Sequence, residues 1–202
     1  MTDKIVRSIE LAVAPILEQE EFSKNEQGFF RERMQFADYL SIQVKSDNSA
    51  VALNAGVQPL FLLSPEQANE NALRRLSEVE CFIRTRLVLQ GMDDYWVSLS
   101  QEPQQVADEL VILFKKQGVP FFELFDSSEK LIRMLTINDI ESGSLPTCFS
   151  MMTKSRLALL AAKASLSTGN TSLAKSLAEY GLAVSGMAVS LKREFRDIMA
   201  RE

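Results

Sequence analysis

The chain has 202 residues, a net charge of −5 and an isoelectric point of about 5.0, and it contains no histidine. This excludes Ser–His and Cys–His nucleophile pairs and every zinc site that needs imidazole; with only isolated basic doublets, it also disfavours nucleic acids and anionic membranes as partners. A hydrophobic content of 46% fills a real core, and 24% charged residues suit a globular chain of one domain or one domain with an appended subdomain.

The N-terminal stretch MTDKIVRSIELAVAPILEQEE lacks an apolar run long enough for a signal peptide, and acids interrupt it. Residues 3–20 read as an amphipathic helix with Ile5, Ile9, Val13 and Ile16 near one stripe, which Pro15 is expected to kink or shorten. Residues 29–36 carry Phe29, Phe30 and Phe36 between charges and read as a strand. Leu40, Ile42 and Val44 then alternate with Tyr39, Ser41 and Gln43. After the turn cluster 45–49, Val51, Leu53, Ala55 and Val57 alternate with Ala52, Asn54 and Gly56, which predicts an antiparallel hairpin.

Ser64-Pro65-Glu66-Gln67 has the form of a helix start, with serine as cap, proline in the first turn and glutamine reaching back, and predicts a helix over 65–77. Residues 79–89 return to period two, with Val79, Cys81, Ile83, Thr85 and Leu87 on one side and Glu80, Phe82, Arg84 and Arg86 on the other. In that setting Cys81 is a small buried hydrophobe. Cys81 and Cys148 form no CxxC and no ligand cluster, and a reducing cytoplasm is the expected compartment. Gly91-Met92-Asp93-Asp94 is a turn, followed by a short strand from Tyr95 to Leu99.

Pro103 opens a helix with Val106, Leu110, Leu113 and Phe114 on its apolar face and Gly118 as its stop. Asp126-Ser127-Ser128-Glu129 caps another that buries Leu131, Ile132 and Leu135. Residues 136–150 read as a linker. Beyond it, 152–168 and 171–185 form a helical pair around Gly169-Asn170, and 187–200 a capping helix. Ala162, Gly169, Ala174 and Gly181 fall at the small positions of the tetratricopeptide pattern, whose bulky anchors are missing. The expected architecture is α+β: an antiparallel sheet of about four strands with helices on one side over residues 1–140, then an all-helical subdomain over 141–202 resembling a single degenerate tetratricopeptide-like unit.

Gln43-Val44-Lys45-Ser46, Leu53-Asn54-Ala55-Gly56-Val57, Glu80 to Arg86, Trp96 and Gly118-Val119-Pro120-Phe121-Phe122 together resemble the bacterial domain of unknown function 4304, over about residues 3–140. The resemblance implies an α+β domain in a bacterial cytoplasm and carries no chemistry with it.

The C-terminal helical pair offers a groove for a partner helix or peptide, but the sharpest candidate surface is the polar side of the sheet. Period two sets Arg84 and Arg86 on the same face. If Gln43 and Asn54 share it, two guanidiniums and two amides converge near Trp96, a surface suited to a carboxylate, a phosphate or a peptide terminus. The competing reading is a plain solvated face, with Arg84 paired to Glu80 or to a helix acid. Asp93 and Asp94, joined by Glu80, are the alternative: carboxylates of a histidine-free enzyme dependent on a divalent metal. The leading expectation is a cytoplasmic binding protein without catalysis or cofactor, holding a small anionic ligand or a protein partner. A structural homodimer is the third possibility.

Overall fold

A computed structural model gives the fold and describes residues 2–201. The chain forms two compact units, Met1–Glu123 and Leu124–Glu202. The first runs α1 (Thr2–Gln19), β1 (Ser23–Lys24), β2 (Phe29–Glu32), β3 (Phe36–Val44), β4 (Ala50–Pro59), α2 (Glu70–Leu73), β5 (Ile83–Arg86), β6 (Val97–Ser98), α3 (Pro103–Leu113) and α4 (Val119–Glu123). It is an α+β unit. Its six strands are antiparallel in the order β1-β2-β3-β4-β5, with β6 also pairing with β4, against the about four expected. β6 lies within the short strand expected from Tyr95 to Leu99, whereas β1 is unexpected: at two residues it is too short to show an alternation.

In α1, Ile9, Val13 and Leu17 face inward and are buried. Pro15 lies inside the helix without ending it. The carbonyl it frees is that of Leu11, an exposed residue, so water can take the lost hydrogen bond.

The β3–β4 hairpin forms as its alternation requires, with Val44 opposite Val51 and Ser41 opposite Asn54. All ten residues of β4 are buried. Opposite residues share a face, so Leu40, Ile42, Leu53, Ala55 and Val57 form one side of the sheet. The long helices lie there: Val13 and Leu17 of α1 and Leu110 of α3 line a cleft with Phe29, Ile42 and Leu53. The other side, with Tyr39, Asn54 and Gly56, is covered by the segment 60–81. Leu73 and Cys81 join Phe30, Ala37 and Tyr39 in one cluster, and the Tyr39 hydroxyl donates to the Leu73 carbonyl at 2.9 Å.

That segment departs from expectation. Gln67 accepts from the Ser64 N–H, as a capping glutamine should, but the turn does not propagate. Asn69 caps again and only the single-turn α2 follows. Residues 78–80 are a 3-10 turn closed by a reciprocal Ser77–Glu80 capping box, not the start of a strand. Cys81 therefore packs beside Tyr39 rather than alternating with Ile83. Gly56 permits this approach: a Cβ there would meet Cys81 Sγ at 2.7 Å and the Glu78 carbonyl oxygen at 3.1 Å. Nor does Gly118 stop its helix. Phe114–Gly118 form a π turn, closed by the Val119 N–H on the Phe114 carbonyl, which leads into α4.

The second unit holds α5 (Ser128–Met134), α6 (Ile137–Ser142), α7 (Lys154–Ser167), α8 (Thr171–Val184) and α9 (Val189–Met199). The expected linker 136–150 contains α6, capped by Thr136 and ended by Gly143 at a φ of 74°. A 3-10 turn follows at Thr147–Phe149. Ser127 caps α5, and Asn170 caps α8 where the helical pair turns. Gly181 in α8 lies against the buried ring of Phe195 in α9; a Cβ there would overlap that ring.

Candidate functional site

The site lies on the second face of the sheet, beyond the part covered by 60–81. Arg86 opposes Asn54, and Arg84 opposes Gly56, so both guanidiniums leave the sheet on that face. Gln43 is two residues beyond Ser41, the partner of Asn54 across β3 and β4. Arg86 is held on every side. Its Nε donates to Asn54 Oδ1 at 3.3 Å and its Nη2 to Gln43 Oε1 at 2.6 Å. Asn54 Nδ2 also donates to Gln43 Oε1, at 3.0 Å. The guanidinium stacks on Trp96, 4.4 Å from the ring centroid.

Asp94 completes the cluster. Its Oδ1 accepts from Arg86 Nη1 at 3.0 Å and from the Tyr95 N–H at 2.9 Å, and its Oδ2 accepts from Trp96 Nε1 at 2.7 Å. The indole bond, followed by those from Arg86 and the Tyr95 N–H, holds the carboxyl below the usual aspartate range. Asp94 is nevertheless 54% exposed, against 26% for Arg86. It stands on an irregular loop, whereas Arg86, Gln43 and Asn54 stand on strands.

Gln43, Asn54, Arg86 and Trp96 thus converge as expected, and Arg84 does not join them. The Arg84 side chain is exposed and donates from Nη1 to the Val79 carbonyl at 2.9 Å. Its expected pairing with Glu80 does not form, because Glu80 closes the capping box with Ser77 at 2.9 Å. The acid next to the arginines is Glu78, which is buried and accepts from Ser41 Oγ at 3.0 Å. Burial pushes its pKa up, against the Ser41 bond and the charges of Arg84 and Arg86.

The two carboxylates of this loop differ in their surroundings. Both Asp94 oxygens face donors, and Asp93, exposed on the same loop, makes none of these bonds. Among the described residues, no three His, Cys, Asp or Glu side chains gather closely enough to hold a metal ion.

Sequence reading missed two things. One is Asp94 as the counter-charge of Arg86, signalled by the Asp-x-Trp spacing that lets one carboxylate bridge an indole and a guanidinium. The other is a second ionic cluster at the far end of β2 and β3. Asp38, with no exposed surface, takes Arg31 Nε at 2.8 Å and Arg33 Nη2 at 2.7 Å. Arg31 also donates to the Glu20 carbonyl at 2.9 Å and lies 4.6 Å from the centroid of the Phe22 ring. Burial pushes the Asp38 carboxyl up and the two guanidiniums oppose it. Arg31 opposite Asp38 was readable as a cross-strand pair once β2 and β3 were paired.

The model for the domain of unknown function 4304 matches residues 13–124. The chain belongs to the domain of unknown function 4304 family. The matched stretch is more than half of the chain, ends one residue past the first compact unit, and contains every residue of the Arg86 cluster. No curated protein and no solved structure matches the chain. Among the described residues, no helix is long and apolar enough to cross a membrane.

Proposed function

We propose that this member of the domain of unknown function 4304 family is a cytoplasmic binding protein. It holds an anionic group of a ligand or protein partner at Arg86, in exchange for the Asp94 carboxylate. The observation that carries this reading is the asymmetry of the cluster. The cationic half is built on paired strands and fixed by two amides and an indole. The anionic half is a half-exposed side chain on a loop. A positioned guanidinium with a displaceable carboxylate is a preorganised anion site. Two free thiols, one buried and one half-buried, support a reducing compartment.

The test uses Trp96, the sole tryptophan. Emission is followed while succinate or inorganic phosphate is added at constant ionic strength. A saturable change is expected. It should vanish in Arg86→Ala and tighten about tenfold in Asp94→Asn, because a charge-assisted competitor worth about 1.5–3 kcal/mol is weakened. Emission unmoved by either anion, or affinity no better in Asp94→Asn, overturns the reading.

A further inference from the structure

The same arginines stand on an open sheet edge. β5 is the last strand in the order, and among the described residues no strand pairs with its outer side. Which main-chain groups face outward follows from the register. The Leu87 N–H donates to the Leu53 carbonyl at 2.9 Å, so Leu87, and by alternation Thr85 and Ile83, turn their peptide groups toward β4. The N–H and C=O of Arg84 and Arg86 therefore point away from the sheet. No backbone partner for them is present among the described residues; the Arg86 carbonyl takes only a local bond from Thr85 Oγ1 at 3.3 Å.

An unpaired edge of this kind is a template for an added strand. The side chains decide what kind. A strand laid along β5 places its residues opposite Arg84 and Arg86 on the face that carries both guanidiniums. A second copy of β5, antiparallel about Thr85, sets Arg84 against Arg86 twice, and like charges directly opposite are unfavourable. Acidic residues at alternate positions are favourable there: one meets the exposed Arg84, and the other competes with Asp94 for Arg86. Val79, 61% exposed and touched by the Arg84 side chain through its carbonyl, adds apolar surface beside that position.

We infer that the outer edge of β5 takes an extended peptide segment of a partner protein, with acidic side chains at alternate positions facing Arg84 and Arg86. This rests on the reading of Arg86 as an exchangeable anion site and names the partner class for it.

Two measurements on the full chain test it. In the free protein, amide exchange by NMR is expected to be fast at Arg84 and Arg86 and slow at Thr85 and Leu87; slow exchange at all four means that the edge is covered, and overturns the inference. The second is a titration with the blocked peptide Thr-Glu-Val-Glu-Thr, read by Trp96 emission and by the Arg84 and Arg86 amide resonances. Binding is expected with both amides becoming protected. It should weaken about tenfold or more when alternate peptide nitrogens are methylated, since main-chain bonds to the edge are then lost. It should weaken similarly when lysine replaces both glutamates, or in Arg84→Glu. Equal binding of the methylated peptide, or no binding of the parent, sinks the strand-addition inference. If succinate still titrates Trp96 in that case, the Arg86 anion site stands without it; if neither titrates, both fall.

Discussion

An aspartate that accepts from an indole N–H and a guanidinium gives up its proton more readily than one in water, and its protonation must break those bonds. Asp94 is such a group, held below its ordinary value of 3.8. With the folded value depressed, what the ionised side chain contributes is complete above the ordinary value and is lost as pH falls through the lower, folded one. Since Trp96 donates to Asp94, an acid titration of Trp96 emission is expected to show a midpoint below 3.8. Removing one donor in Arg86→Ala should move that midpoint upward. A midpoint at the ordinary value in both proteins would mean that the carboxylate is not held. The convergence of Gln43, Asn54 and Arg86 was legible because strand parity fixes which side chains share a face. The departure of Arg84 was not. It depends on where the chain turns before β5, and so on Ser77 and Glu80 closing on each other.

Elements were legible where one physical signal dominated. The hairpin and the long helices α1, α3 and α8 have clean periods and form close to their expected bounds, as does α7, which is buried nearly all round. Between 60 and 82 local and tertiary demands compete: the expected helix shrinks to α2, whose last residue Leu73 offers its carbonyl to Tyr39, and the expected strand start becomes a 3-10 turn that sets Cys81 and the Glu78 carbonyl against Gly56. Gly56→Ala tests this. Its Cβ would sit 2.7 Å from Cys81 Sγ and 3.1 Å from the Glu78 main chain, so the 3-10 turn must lift from β4. We expect a loss of about 1–3 kcal/mol in urea unfolding, the usual cost of overpacking. A neutral result would show that the turn moves away without cost. The π turn at Phe114–Gly118 escaped notice because glycine ordinarily marks a helix end, whereas here Gly118 admits the rings and methyls of Phe114 and Leu87.

At the scale of the whole molecule, each unit carries its own aromatic interior. Phe22 packs on Phe114 and Phe122 in the first, and Phe125 on Phe149 in the second. The Arg86 cluster draws all its residues from the first. Residues 1–123 produced alone are therefore expected to unfold in one cooperative step and to keep the Trp96 emission spectrum and anion titration of the full chain. A fragment without a cooperative transition would show that the two interiors depend on each other. The all-helical character of the C-terminal part was readable from its periodicity. The helix α6 was not, because six residues among serines and a glycine carry too little pattern to stand out from a connection.

The wide turn between α3 and α4 sets the phase of α4. A π turn takes in one residue more than an α turn, and each residue swings a helix by about 100° around its axis. Excising Gln117 would leave an uninterrupted α-helix, but Phe122 would then be carried about a quarter-turn away from the side on which it now meets Phe22 and Arg31. The surplus residue acts as a rotational spacer: the inward stripe of α3 and that of α4 belong to two different angular settings, and the widened turn lets one continuous rod satisfy both.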